Sequence, residues 1–122
     1  MCRDHSRRDA VAPYITLDGS EIRELMRPQP QNSCQKQSLA EAVVKPGGTT
    51  RLHRHLRSEE LYHILSGSGL MTLADATFAV GPGDTICIAA GTAHCIKNSG
   101  SGDLVLLCCC APAYSHEDTE LL

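Results

Sequence analysis

Short apolar runs separated by glycine-containing turns fill the chain from Leu39 onward, and they limit the possible folds more than any other feature. The runs are LAEAVV, LYHIL, LMTLA, ATFAV, TICIAA, CIKN and LVLLCCCA, and the segments between them include PGG, SGSG, GPGD and GTAH. Runs of four to eight residues bounded by turn residues are typical of β-strands in a sandwich or barrel. No helix of useful length fits between them. A doubly wound α/β fold is therefore excluded, and Gly67 and Gly69 indicate a hairpin turn rather than a dinucleotide-binding loop.

The residues before Leu39 follow a different pattern. Residues 1–12 are charged and have no period, so we expect a frayed tail there. In LDGSEIRELMRPQPQ, Asp18 lies three residues before Glu21 as in a capping box, the apolar residues of EIRELM share a helical face, and Pro28 ends the run. The pattern predicts an all-β protein with a short N-terminal helix or irregular segment.

Length, charge and hydropathy indicate a single domain and disfavour nucleic-acid and membrane partners. The 122 residues have the size of one domain, which we divide into an N-terminal extension packed on or beside the barrel (1–38), the barrel (39–112) and a tail (113–122) that either caps the barrel or stays mobile. A formal net charge of −3 leaves no basic face for a phosphate backbone, so nucleic-acid binding is disfavoured. No apolar run approaches the roughly 18 residues that span a bilayer, so no membrane partner is expected.

Seven cysteines are present, and three of them are consecutive. An odd number without a preceding secretory signal favours a reduced, cytoplasmic protein in which most cysteines act as small buried hydrophobes. In a strand, Cys108 and Cys110 face one way and Cys109 the other, so the three cannot all line one cavity. Packing is the simplest interpretation. A thiol near a metal and a redox-sensitive pair are the alternatives, and neither has the C-x-x-C spacing that would support it.

Histidines and a glutamate have the spacing of metal ligands within and beyond the stretch RLHRHLRSEELYHILSGSG. His53 and His55 project to the same side of a strand, because successive side chains alternate between faces. Glu60 begins a second strand-like run that can return toward the same interior, and His94 follows a glycine turn far along the chain. A lone histidine in a strand is more often packed or solvent-exposed than a ligand, so the prediction depends on the combination. Three imidazoles and one carboxylate suit one divalent transition metal (Fe, Mn, Ni, Zn, Co or Cu) better than Ca or Mg.

From about Leu39 to Pro112 the chain resembles the cupin superfamily, because nine of the ten fixed positions of two cupin motifs are filled. The first motif, G-x5-H-x-H-x3,4-E-x6-G, is matched by Gly47, His53, His55, Glu60 and Gly67. The second, G-x5-P-x-G-x2-H-x3-N, is matched by Gly83, Gly91, His94 and Asn98, with Ala89 in place of the proline. The resemblance implies a small jelly-roll β-barrel in which His53, His55, Glu60 and His94 bind one metal ion.

Both Glu59 and Glu60 satisfy the spacing that the first motif allows. We prefer Glu60, because only it leaves six residues before Gly67 and it shares strand parity with Tyr62. His63 then faces the opposite side and is predicted not to be a ligand. Glu60 is also a candidate catalytic base, and Tyr62 is a candidate catalytic hydrogen-bond donor, with a core tyrosine at the barrel mouth as an equal alternative.

Among cupins, three histidines and a glutamate occur in Fe, Mn, Ni or Cu oxygenases and in Zn or Mn isomerases related to sugar-phosphate isomerases. The resemblance therefore implies a metal-dependent enzyme acting on a small-molecule substrate. We prefer a dioxygenase-like oxidoreductase over an isomerase, because the arginines at 51, 54 and 57 point mostly outward and offer no anion clamp. A non-catalytic small-molecule or metal-binding module and a barrel merely stiffened by its metal are the other possibilities. A homodimer is also expected, since it would cover sheet edges and an apolar outer face.

Overall fold

Residues 3–122 are described by the computed structural model, and this part of the chain is almost entirely β-structure. Its strands are β1 (Tyr14–Ile15), β2 (Glu21–Met26), β3 (Ser38–Val44), β4 (His53–His55), β5 (Glu59–Ser66), β6 (Gly69–Leu73), β7 (Ala76–Val80), β8 (Thr85–Ile88), β9 (His94–Asn98), β10 (Leu104–Ala111) and β11 (Thr119–Leu121). The one helical element among these residues is a 3-10 turn at Arg8–Ala10. The all-β prediction is confirmed.

The strands form two antiparallel sheets. The six-stranded sheet has the order β1-β2-β3-β10-β5-β8, and the five-stranded sheet has the order β11-β4-β9-β6-β7. Strands that are neighbours in a sheet are often distant in the chain, as is typical of jelly rolls. This arrangement places His53 of β4 directly opposite His94 of β9, so the two sequence motifs meet in one ladder.

The core lies between the two sheets and follows the alternation of each strand. In β5, Glu60, Tyr62 and Ile64 are buried, whereas Glu59 and Leu61 are exposed. Apolar side chains from both sheets form one cluster: Ala42, Val44, Tyr62, Ile64, Met71, Val80, Ile86, Ile88, Ile96, Leu104 and Leu106. Burying each larger aliphatic side chain of this cluster contributes about 1.5–3 kcal/mol.

The predicted N-terminal helix is wrong, because Glu21–Met26 forms strand β2. The strand pairs with β3, from Glu21 opposite Val43 to Met26 opposite Leu39. Asp18 does not cap a helix, since its Oδ1 accepts hydrogen bonds from the backbone N–H and the hydroxyl of Ser20 in the turn before β2. Six residues are too few for helical and strand periods to be separated, and pairing with the sheet decides between them.

The N-terminal segment lies against the barrel instead of fraying. Within the predicted tail 1–12, Met1 and Cys2 lie outside the described residues. The Arg8 guanidinium pairs with the Glu41 carboxylate at 2.9 Å. Asp4 accepts hydrogen bonds from the backbone and hydroxyl of Ser33. For the described part of this segment, the expectation of a frayed tail is wrong.

The C-terminal tail contributes β11, which pairs with β4 and so lies at the edge of the five-stranded sheet. Of the two possibilities for the tail, the structure therefore has it packed on the barrel. The division of the chain into extension, barrel and tail at residues 38/39 and 112/113 stays a prediction. Strand pairing crosses both boundaries, since β2 pairs with β3 across the first and β11 pairs with β4 across the second. Within residues 3–122 no helix has the length and apolar character needed to cross a bilayer. The homodimer and the cytoplasmic location also stay predictions.

Candidate metal centre

Three imidazoles converge between the two sheets. His53 and His55 project from β4 and His94 from β9, and their ligand atoms all lie within 4.8 Å of one another. The residues are 3%, 4% and 0% exposed, respectively. The ring centroids of His53 and His94 are 4.2 Å apart. The sequence prediction that these three residues come together is confirmed by this geometry.

Two of the rings are held at Nδ1 by backbone carbonyl groups. His53 Nδ1 donates to the carbonyl of Arg51 at 2.7 Å, and His94 Nδ1 donates to the carbonyl of Thr92 at 2.9 Å. Because a carbonyl oxygen only accepts, both Nδ1 atoms carry a hydrogen. When a ring carries a single hydrogen, it therefore presents the lone pair of Nε2 to the interior, and Nε2 is the atom that a metal ion would bind.

The third ring is held by the C-terminal strand. His55 Nδ1 lies 3.0 Å from the Thr119 hydroxyl, which itself donates its hydrogen to the carbonyl of Ser115 at 2.9 Å. The hydroxyl therefore accepts from His55 Nδ1–H, and Nε2 of His55 is also directed inward with its lone pair. Such partners of a ligand histidine fix its tautomer and its ring orientation.

The carboxylate of Glu60 lies beside the imidazoles. Its Oε1 is 3.1 Å from His55 Nε2 and 3.4 Å from His94 Nε2, and its Oε2 accepts a hydrogen bond from Cys110 Sγ at 3.2 Å. Burial alone would raise the pKa of Glu60, but the adjacent imidazoles of His55 and His94, which stabilise its negative charge when Nε2 carries a proton, lower that pKa to about 2. Glu60 is therefore a carboxylate at neutral pH. The competing Glu59 is exposed on the opposite face of β5.

This donor set fits a divalent transition-metal ion. Nε2 of His94 is buried and has no hydrogen-bond partner in the described part of the chain. An unpaired polar atom of this kind costs about 1–3 kcal/mol. With Nδ1–H already in place, the rings face Glu60 favourably only when Nε2 binds a proton or a metal ion. Three Nε2 atoms beside one buried carboxylate are the donor set of a transition metal, so the three-histidine cluster indicates a metal ion.

A small cavity of about 50 Å³ opens beside His53 and His55. At roughly 10–15 Å³ for each water position, it has room for only a few waters. Tyr62 lines this cavity, and its ring lies 5.8 Å from that of His94. Burial, and then the charge of Glu60, raise the pKa of Tyr62 well above its usual value, so its phenol is neutral. Tyr62 thus lies where a hydrogen-bond donor was predicted, and its catalytic role stays a prediction.

Sequence reasoning missed Asp18 as a residue of this site. Asp18 lies in the turn between β1 and β2, and its Oδ2 is 3.8 Å from His53 Nε2. The sequence analysis interpreted Asp18 as the cap of a helix and so did not place it near the histidines. The pairing of β1 with β2 shows that the segment containing Asp18 is a hairpin turn, which a sequence period alone does not reveal.

Core packing alone does not describe the three consecutive cysteines at positions 108–110. Cys108 and Cys110 line the cavity, and Cys110 contacts Glu60, so a thiol does lie near the candidate metal ligands. Cys109 faces the other side of β10, where its Sγ lies 4.0 Å from Gln37. The predicted parity of the three residues is therefore confirmed. The six cysteines in the described residues are all free.

Side chains that were predicted to point away from the site do so. His63 Nδ1 pairs with the hydroxyl of Thr85 on the outer face of the sheet, at 2.8 Å. Arg54 pairs with Glu120 at 2.9 Å, and within the described part of the chain no arginine or lysine lines the cavity. His63 is therefore not one of the converging residues, and the arginines of the first motif form no anion clamp in the cavity.

Comparison with known families and proteins gives consistent matches. The model of the Cupin domain family matches residues 40–110. An uncharacterized protein of Methanocaldococcus jannaschii is 55% identical over 114 residues, which are 93% of this chain and 90% of that protein. Auxin-binding protein 1 of Arabidopsis thaliana is 37% identical over 71 residues, which are 51% of this chain and 35% of that protein.

Solved structures show the same fold. The oxalate decarboxylase of Lactobacillus farciminis, solved as a formate complex, aligns with a TM-score of 0.79 at 24% identity over 93% of this chain. This chain covers 34% of that structure. At such an identity the similarity extends to the fold alone.

Proposed function

Because the chain belongs to the cupin family, we propose that it is a metal-dependent enzyme acting on a small molecule, with one divalent transition-metal ion held by His53, His55, Glu60 and His94. The observation that carries this proposal is the fixed orientation of the three imidazoles. Each Nδ1 donates to a neighbouring oxygen, so all three Nε2 lone pairs face one buried point beside a carboxylate. An arrangement of this kind is costly without a cation and is typical of a metal site.

When bound, such an ion supplies Lewis acidity toward an enol, hydroxy-ketone or carboxylate oxygen and, for Fe, Mn, Ni or Cu, redox chemistry with dioxygen. The chain's own residues provide the rest. Glu60 keeps a negative charge in a buried position, and Tyr62 presents a neutral phenol to the cavity. The buried walls limit the water that reaches the reacting atoms, which strengthens every electrostatic interaction there.

We favour a dioxygenase-like oxidoreductase over an isomerase of phosphorylated sugars. Phosphate groups are recognised by arginine or lysine side chains, and none lines the cavity in residues 3–122. The wall nearest the core is made of apolar side chains, among them Val44, Ile96 and Leu106. A wall of this kind suits an apolar co-substrate such as dioxygen better than a phosphorylated sugar.

Metal content tests the site itself. Protein purified without an affinity tag should contain close to one metal ion per chain by elemental analysis, and a His53→Ala/His94→Ala double variant should contain almost none. His63→Ala is the matched control, because His63 lies in the same region of the sequence but faces the outside. Equal metal content in the double variant and the unmodified protein would refute the proposed ligands.

Turnover is tested separately. Oxygen consumption should appear with at least one member of a panel of diketones, flavonoids and hydroxy acids under Fe, Mn, Ni or Cu loading, and Glu60→Gln should abolish it. A second candidate, a non-catalytic small-molecule-binding module, is favoured by the 37% identity to auxin-binding protein 1. Metal-loaded protein that binds a panel member but consumes no oxygen under any metal would support this second candidate.

A further inference from the structure

The charged side chains on the cavity wall are all acidic. Asp18, Glu24 and Glu60 line the cavity, and the described residues place no lysine or arginine there. The charge of Glu24 is already offset, because Arg27 Nε lies 2.9 Å from one of its oxygens and the Tyr14 hydroxyl donates to the other. Glu60 is directed at the histidines and at Cys110. Asp18 is therefore the carboxylate whose charge is left facing the cavity.

Asp18 is held firmly in this position. Its Oδ1 accepts two hydrogen bonds from Ser20, one from the backbone N–H at 2.9 Å and one from the hydroxyl at 2.6 Å. Its backbone carbonyl accepts the N–H of Arg51 at 2.8 Å. Its Oδ2 has no hydrogen-bond partner within residues 3–122 and lies 3.8 Å from His53 Nε2, which is too far for a hydrogen bond. One oxygen of a fixed carboxylate thus stays available beside the candidate metal ligands.

We propose that Asp18 makes this pocket selective for an uncharged ligand that carries a hydroxyl group next to its metal-binding oxygen. Oδ2 accepts the hydrogen of that hydroxyl, and the negative charge of Asp18 disfavours carboxylate and phosphate groups. The inference rests on the proposed function, because it places the ligand at the metal ion. The substrate class is then that of hydroxy ketones and hydroxy amides.

The charge distribution explains this preference. An anion that enters a small buried cavity loses its hydration, and a nearby arginine or lysine normally offsets that loss. Here the carboxylates of Glu60 and Asp18 already offset the two positive charges of a divalent metal ion, so an anion would meet no net positive charge. An uncharged hydroxyl group loses less hydration and gains a charge-assisted hydrogen bond, which is stronger than one between neutral groups. This preference would separate the chain from oxalate decarboxylases, whose name gives a dicarboxylate as the substrate.

Lactamide and lactate provide a matched pair of probes, because they share a carbon skeleton and a hydroxyl and differ in charge. Each is titrated into Co²⁺-loaded protein of measured metal content, and binding is followed by the visible absorption spectrum of the ion. The ratio of lactamide to lactate affinity should exceed the ratio for aqueous Co²⁺ by tenfold or more. In Asp18→Asn, lactate affinity should rise by tenfold or more and lactamide affinity should fall.

Asp75→Asn is the control, because it removes the same charge from an exposed position in the turn between β6 and β7. The inference is overturned if the unmodified protein has the same affinity ratio as aqueous Co²⁺, a measurement that needs no variant. It is also overturned if Asp18→Asn changes the ratio no more than Asp75→Asn does. Protein that takes up no Co²⁺ overturns the proposed function together with the inference, whereas loaded protein without a shifted ratio overturns the inference alone.

Discussion

Replacing Thr119 with valine should weaken metal binding although Thr119 is not itself a proposed ligand. The change keeps the side-chain shape and removes the hydroxyl that accepts the hydrogen of His55 Nδ1 at 3.0 Å. The His55 ring then has no partner to fix its tautomer or its orientation. Loss of such a partner typically lowers metal affinity by about 10- to 100-fold. At about 1.4 kcal/mol for each factor of ten, this corresponds to a loss of about 1.4–2.8 kcal/mol.

The assay is a competition titration of metal-free protein with Zn²⁺ and a chromophoric chelator, together with thermal unfolding to show that each variant is folded. Thr85→Val is the matched control, because it removes the same kind of bond, at 2.8 Å, from the outward-facing His63. Its Zn²⁺ affinity should equal that of the unmodified protein. The reasoning is refuted if folded Thr119→Val binds Zn²⁺ within twofold of the unmodified protein, or if both variants lose affinity equally.

Three further perturbations test other parts of the structure. Gly67 has a φ of +85°, and an added Cβ would lie 2.5 Å from a backbone oxygen, so Gly67→Ala should lower the free energy of unfolding by more than about 2 kcal/mol in urea. A Cβ added at Gly81 has no atom within 4 Å, so Gly81→Ala should change the free energy of unfolding by less than about 0.5 kcal/mol. Equal losses of unfolding free energy in the two variants would contradict this reasoning. Burial raises the pKa of the Cys110 thiol, so iodoacetamide at pH 8 should modify the exposed Cys87 and leave Cys110 unmodified in folded protein. Peptide mass spectrometry measures the labelling of each cysteine, and equal labelling of the two would refute this prediction. In metal-free protein, the protonated imidazoles beside Glu60 outweigh its burial and lower its pKa from 4.5 to about 2, so the carboxylate stabilises the fold above pH 4.5 and loses that effect as the pH falls toward 2. Urea unfolding of Glu60→Gln should therefore show a shallower decline in this range, and parallel curves would count against it.

Strand parity explains why much of the site could be predicted from the sequence. Alternation along a strand is a local property, so it assigned His53 and His55 to one face and excluded His63, and together with the motif spacing to Gly67 it favoured Glu60 over Glu59. The structure has the same burial pattern. The fold class was equally accessible, because glycine-bounded apolar runs follow the strands closely.

The remaining features depend on which strands become neighbours. EIRELM was misread as helical, because only its pairing with β3 makes it a strand. Thr119 supports His55 through the pairing of β11 with β4, and Cys110 reaches Glu60 through the pairing of β10 with β5. Asp18 enters the site from a hairpin that precedes the cupin match at residues 40–110. Contacts of this kind join residues far apart in the chain, and no local period encodes them.

The ladder between β5 and β10 would give the proposed metal centre a role in folding. In the observed register Glu60 is opposite Cys110 and Glu59 is opposite Ala111. A slip of one residue would turn every side chain of β5 to the other face, so Glu60 would leave the histidines. The complete ligand set therefore exists in one register only. Metal at a hundredfold above its dissociation constant would stabilise that register by about 2.7 kcal/mol, so metal binding would select the correctly paired sheet over slipped alternatives.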